Sequence, residues 1–171
     1  TFSGAGSERM RITNNGRIGI GTNNPQSLSD IQGTSTLGTM GAEMISASAD
    51  RTFASANNWT YNTGWTRNSA SSTASTTASG AGTLTLANGF LSSAPSVGNI
   101  YQISFDVYSF ATGTLQVSFG SATSLINFGN VFRSTQSQVV VITAQGSGAL
   151  TFTPSSSWLG TITNISLKQV T

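Results

Sequence analysis

With charged residues at 7% of 171 positions, a net charge of +2 and neither cysteine nor histidine, the chain excludes several classes before any motif is read. It has no disulfide or thiolate zinc site, and it lacks the commonest general base and metal ligand. A nucleic-acid binder would show a denser basic stripe, and no apolar run reaches the roughly 20 residues that span a bilayer, so neither nucleic acid nor membrane insertion is expected.

The low charge also suits an obligate oligomer, whose subunits hide surface that a monomer has to solvate. Residues 1–7 read as the end of a preceding shaft. Thr1, with no start methionine or signal pattern, leads us to expect a segment of a longer polypeptide. Met10 and Ile12 alternate with Arg9, Arg11 and Thr13, the period of two of a half-buried strand. Asn14, Asn15 and Gly16 tolerate positive φ and mark a turn. Ile18 and Ile20 then alternate with Arg17, Gly19 and Gly21 until Asn24-Pro25 ends the run. Such a hairpin buries too little surface to stand alone in water, so residues 1–26 must find partners elsewhere.

Residues 27–40 read as a Gly/Ser/Thr linker, in which Leu28 and Ile31 suit one turn of helix begun by Ser27 or Ser29. From residue 41 to 171 the pattern becomes a series of strands with regular turn signals, which predicts an all-β sandwich. Glu43–Ser48 is a first strand, and Asn58–Thr66 carries two tryptophans about Asn62-Thr63-Gly64. The Ser/Thr/Ala-rich residues 66–79 are expected as strand pressed against a neighbouring chain rather than as disorder. Thr83–Ala87 alternates cleanly. In Ile100–Phe110, Tyr101, Ile103, Phe105 and Val107 share one face, with Gln102, Ser104, Asp106, Tyr108 and Phe110 on the other.

Ala111-Thr112-Gly113 reads as a turn into Leu115, Val117 and Phe119, with Gln116 and Ser118 opposite. These two strands are therefore expected to pair antiparallel, bringing Asp106, Tyr108, Gln116 and Ser118 onto one polar face. Val139–Ala144 is apolar on both faces and should be covered on both. Ala149–Thr153 alternates again. In Gly160–Val170 the residues Ile162, Ile165 and Leu167 miss a strict period of two, which predicts a bulge.

The opening Glu8-Arg-Met-Arg-Ile12, followed by Gly16-Arg-Ile-Gly-Ile-Gly-Thr22 and Pro25, resembles the E-R-M-R-I…G-x-I/V-G-I-G-T-x-x-P segment of bacteriophage tail fibres and tailspikes. There it sits on a three-fold axis just before a C-terminal receptor-binding or chaperone module. The resemblance implies a homotrimer with Met10, Ile12, Ile18 and Ile20 at the axis. Arg9, Arg11 and Arg17 would pair with Glu8 of a neighbouring chain. Further along, Trp59…Gly64-Trp65, Tyr101–Val107, Leu115–Gly120 and Phe152–Leu167 are together similar to the galactose-binding-like β-sandwich, or jelly roll, of carbohydrate-binding modules. Two positions depart from that family. Asp50-Arg51-Thr52-Phe53 replaces the usual Asn-Gly-Asp-Phe, and Asn164 stands where an Asp is usual, so no calcium site is carried over.

The carboxylates are Glu8, Asp30, Glu43, Asp50 and Asp106. Glycoside hydrolysis needs two facing each other across the bond, and no spacing here brings two of the sandwich's three together. Serine is abundant, but there is no histidine to activate it. We therefore expect no catalytic residue, no cofactor and no metal. Sugar binding needs aromatic faces and planar polar groups. Trp59, Tyr61, Tyr108, Phe110, Phe128, Phe132 and Trp158 offer the first; Gln102, Asp106, Gln116, Asn127, Asn130 and Arg133 offer the second. Trp65, Tyr101, Phe105, Phe119 and Phe152 are assigned to the core. Asp106, Tyr108 and Gln116 form the leading site, with Arg133, Trp59 and Trp158 as further ligand-binding candidates. The expectation is a trimeric tail-fibre or tailspike tip on the virion, attaching to host polysaccharide or lipopolysaccharide. The rivals are a structural cap that binds nothing, a module of a polysaccharide-degrading tailspike, and a bacterial adhesin.

Overall fold

A computed structural model describes residues 2–4, 7–13, 18–20, 29–31, 38–54, 57–77, 80–108, 113–128 and 135–171. The chain divides into two compact units, residues 1–39 and 40–171. The first is a four-stranded sheet of β1 (Phe2–Gly4), β2 (Ser7–Ile12), β3 (Ile18–Ile20) and β4 (Ser29–Ile31), in that order. Strands β2 and β3 form the antiparallel hairpin, with Met10 opposite Ile20 and Ile12 opposite Ile18. The Asn14–Gly16 turn and Pro25 lie outside the described residues. Ile31 is not helical. It belongs to β4, which adds in parallel to the free edge of β3 and so gives the backbone groups of both strands partners.

The second unit is a β-sandwich. One sheet contains β5 (Met40–Glu43), β7 (Trp65–Asn68), β8 (Thr73–Thr76), β10 (Ile100–Tyr108), β13 (Gln136–Thr143) and β15 (Thr161–Val170). Its order is β13-β10-β15-β8-β7, with β5 also paired to β15. The other sheet runs β12 (Ala122–Asn127), β11 (Thr114–Phe119), β14 (Leu150–Pro154), β9 (Leu84–Leu86) and β6 (Trp59–Tyr61). Every pairing in both sheets is antiparallel. A short helix, α1 (Ser48–Thr52), holds the Asp50-Arg51-Thr52 stretch.

Alternation decides which side chains form the core. In β10, Tyr101, Ile103, Phe105 and Val107 are buried, while the residues between them face outward. In β11, Leu115, Val117 and Phe119 do the same from the opposite sheet. Edge-to-face rings join the layers: Tyr101 meets Phe119 at 5.0 Å and 85°, and Phe105 meets Phe152 at 5.0 Å and 79°. Trp65, also assigned to the core, is buried against Trp158 at 5.8 Å.

Three expectations meet a different arrangement within the single chain. First, β10 does not pair with β11. Strand β10 already has β13 on one edge and β15 on the other, so the chain crosses to the opposite sheet before β11 begins. Gly113 ends that crossing at φ +101, where an added Cβ would lie 2.8 Å from the Trp158 nitrogen. Second, the chain does not cover both faces of β13. Val140 and Ile142 are buried, but Val139 and Val141 are 59% and 60% exposed on the outer face of an edge strand. Third, residues 65–76 form the β7–β8 hairpin of the six-stranded sheet, so β8 is sandwiched between β7 and β15 of its own chain.

Candidate functional site

Because β10 alternates, Asp106 and Tyr108 both project from the outer face of the six-stranded sheet. Tyr108 is 49% exposed at the end of the strand. Asp106 is half-buried and held on both oxygens: Ser137 Oγ donates to Oδ1 at 2.5 Å, and Asn164 Nδ2 donates to Oδ2 at 2.8 Å. Ser137 is there because β13 places it directly opposite Asp106.

Asn164 arrives by a different device. Ser104 pairs with Ser166 and Asp106 with Thr163, so Asn164 and Ile165 together oppose Phe105. This is the bulge expected in the closing strand. It lets Ile162, Ile165 and Leu167 all point into the core, and Asn164 takes the left-handed conformation at φ 52. Asn tolerates that region better than most residues. Beside Tyr108, Thr161 continues the polar surface and shares a hydrogen bond with Ser75 at 2.9 Å.

The other sequence candidates disperse. Gln116 is half-buried on the outer face of the five-stranded sheet, between Leu125 and Thr153, and so on the far side of the sandwich from Tyr108. Ser118 follows it there. Trp59 is buried, its Nε1 donating to the Asp50 carbonyl at 2.6 Å. Trp158 is fully buried and Phe128 nearly so, their rings 6.5 Å apart. None of the three presents a ring face to a ligand. Tyr61 packs edge-on to Phe53 at 6.4 Å and bonds to Asn57 through its hydroxyl. Burial pushes its phenol above 10.0, against smaller opposing effects of the Asn57 bond and the Arg67 charge. Gln102 lies half-buried on the Asp106 face, and Asn127 is exposed on the opposite sheet. Phe110, Asn130, Phe132 and Arg133 lie outside the described residues.

The remaining carboxylates of this unit serve the frame. Asp50 is fully buried: Oδ1 accepts the Asn58 backbone N–H at 2.7 Å and Oδ2 the Asn58 amide at 2.9 Å. Glu43 Oε1 accepts the backbone N–H groups of Ile45 and Leu167, and Oε2 the Ser166 hydroxyl. Among the described residues no group of three or more acidic side chains gathers as a metal cluster. Sequence reasoning placed Asp106 and Tyr108 on one outward face, as they are, but did not bring Ser137 and Asn164 to it. The broken period in β15 signalled a bulge; which residue it would aim outward depends on the β10–β15 register.

No protein-family model and no curated protein matches the chain. Among solved structures it is similar to the enzymatically active domain of tailspike protein 4 from bacteriophage CBA120, at 16% identity and a TM-score of 0.47. That likeness covers 74% of this chain and 21% of the other, so the chain spans about a fifth of the tailspike structure's length. It is also similar to the CBM22-1 xylan-binding domain of Paenibacillus barcinonensis Xyn10C, at 10% identity, TM-score 0.44, and 78% and 96% coverage. A cyclase from Fischerella sp. TAU follows at 12% identity, TM-score 0.41, and 77% and 87% coverage. At these values the likenesses carry no argument about ligand or activity. The assignment as an all-β protein with a two-sheet antiparallel sandwich rests on the strand pairing itself.

Proposed function

We propose that residues 40–171 are the receptor-binding tip of a phage tail fibre or tailspike, attaching the virion to a host-surface polysaccharide or lipopolysaccharide. The observation that carries this reading is the half-exposed Tyr108 two residues from Asp106, whose two oxygens are fixed by neutral donors. A ring face for sugar C–H groups beside oriented acceptors for hydroxyls is what a glycan offers complements to. Binding, rather than cleavage, is favoured because no second carboxylate among the described residues stands across from Asp106: Glu43, further along the same sheet face, is bonded to Ile45, Leu167 and Ser166, and Asp50 is bonded to Asn58 within the frame. The Tyr108→Ala variant tests the reading. Losing one stacking contact is expected to cost on the order of 1–3 kcal/mol by analogy with base stacking, read as weaker adsorption to host cells with fold and assembly intact.

The homotrimer belongs to the same proposal. The hairpin motif supports it, with Ile12 of the Ile12–Ile18 pair 63% exposed. So does the outer row Met40–Val170–Ile100 with the neighbouring Val139 and Val141, which offers apolar surface for contact between copies. That row also favours a second reading, in which the sandwich is a trimerising cap without ligand. Absence of polysaccharide binding by the folded, unaltered protein would select the cap, whereas full adsorption by a folded Tyr108→Ala variant would move the site off this face.

A further inference from the structure

We infer that the Asp106–Tyr108 site takes an uncharged pyranoside through two neighbouring hydroxyls, with Asn164 as the positioning residue that sets the carboxylate for them; this rests on the glycan reading above. A carboxylate has about four acceptor positions. Ser137 occupies one on Oδ1 and Asn164 one on Oδ2, so each oxygen keeps an acceptor position for a ligand. The two bonds come from opposite neighbouring strands, β13 and β15, and hold the carboxylate plane from both sides. The result is a bidentate acceptor for a pair of hydroxyl donors. Tyr108 projects from the same face about 6.8 Å further along the strand, roughly one sugar ring away.

Charge narrows the ligand class. Among the described residues, Asp106 is hydrogen-bonded to a serine and an asparagine, not to a cation. On the same sheet Lys168 pairs with Gln102, four residues back along β10 and so about 13 Å away, and Arg67 lies on β7, three strands across. Among the described residues these are the cations of the sheet, and the backbone positions of both lie beyond the screening length of about 8 Å at physiological salt. A carboxylate, sulfate or phosphate on the ligand would meet Asp106 with like charge. A hydroxyl pair would meet two acceptors. The backbone alone does not explain Asn164, because glycine would satisfy φ 52 more easily but could not bond Asp106.

The test titrates the chain with neutral hexose oligosaccharides and with uronic-acid oligosaccharides of the same linkages. It is run on the unaltered protein and on Asn164→Gly, Asp106→Asn and Arg133→Ala. Neutral sugars are expected to bind. Asn164→Gly should weaken them on the order of tenfold, the equivalent of one hydrogen bond, while melting unchanged or slightly higher. Asp106→Asn should weaken them further. Neutral binding that survives both variants overturns the inference and leaves the glycan reading standing. So does a preference for the uronic acids that Arg133→Ala abolishes. If the folded protein binds neither sugar class and whole-cell adsorption survives enzymatic stripping of surface glycan, the glycan reading itself falls, and the inference with it.

Discussion

Asp50 offers the sharpest test of what holds the sandwich together, because two substitutions there separate shape from charge. The side chain is fully buried and its two oxygens grip one residue, Asn58, through its backbone N–H at 2.7 Å and its amide at 2.9 Å. Hydrogen bonds to a charged group contribute about 1.5–3 kcal/mol each. In Asp50→Ala the exposed Asn58 amide can turn to water, but the part-buried backbone N–H is stranded and a small void opens. We expect a loss of about 3–4 kcal/mol. In Asp50→Asn the new amide oxygen keeps the backbone bond, and Asn58 can rotate its own amide to offer oxygen to the new NH2. Two neutral bonds replace two charge-assisted ones, a loss of about 1–2 kcal/mol. Urea unfolding followed by tryptophan fluorescence measures both, since Trp59 follows Asn58 directly and bonds the Asp50 carbonyl. If Asp50→Asn proves as costly as Asp50→Ala, the charge itself is required and the hydrogen-bond account is wrong.

Gly120→Ala should destabilise by about 2–4 kcal/mol, combining a φ of +57 with a Cβ 2.4 Å from that of buried Ala144; a shift of a few tenths in thermal or urea unfolding would show that the turn relaxes freely. Tyr61 should ionise above 10.0, because burial disfavours the phenolate. Its folded value is raised, so the associated stability is fully present below the unfolded value and lost as pH climbs through the folded one. Absorbance titration at alkaline pH checks this, and Tyr61→Phe should remove the late phase. The chain should scatter light as three times its 17.6 kDa monomer mass at micromolar concentration; a monomer mass would sink the trimer. Val141→Lys, opposite Gln102 and four residues from Asp106 along the strand, should weaken association while leaving sugar binding at each Tyr108 site unchanged, as sedimentation and titration would report.

Much of the fold was legible because period-two alternation survives in the long strands. Ile100–Tyr108 and Thr114–Phe119 bury the residues that alternation assigns to the core. Pairing was less legible. A short link containing glycine looks the same whether it turns a hairpin or crosses between sheets, and what separates Gln116 from Tyr108 is that distant β13 and β15 occupy both edges of β10. Trp59 and Trp158 misled for a related reason: a ring suited to stacking on sugar is equally suited to filling the space between two sheets, and here both do the latter. Asn164 was visible as a departure from a family pattern, but its role emerges only when the bulge aims it at Asp106.

The outer face of β10 changes character along its length, and this is where the two halves of the functional proposal meet. At one end Ile100 pairs with Val170, which pairs with Met40, and Val141 lies beside Gln102. At the other end stand Asp106 and Tyr108, six and eight residue steps from Ile100 and so about 20 and 27 Å away. An exposed apolar row is costly in a monomer and useful where copies meet. A fixed carboxylate beside an open ring is useful only where water and ligand have access. Because Met40 is the first residue of the sandwich unit, the apolar end is also the end at which the chain enters. Contact between copies near that end leaves the Tyr108 ends free. Three such ends held together would raise avidity through effective concentration without any new contact to the sugar. A single strand can in this way serve assembly at one end and recognition at the other, because its two ends lie farther apart than the roughly 8 Å over which charge acts in physiological salt.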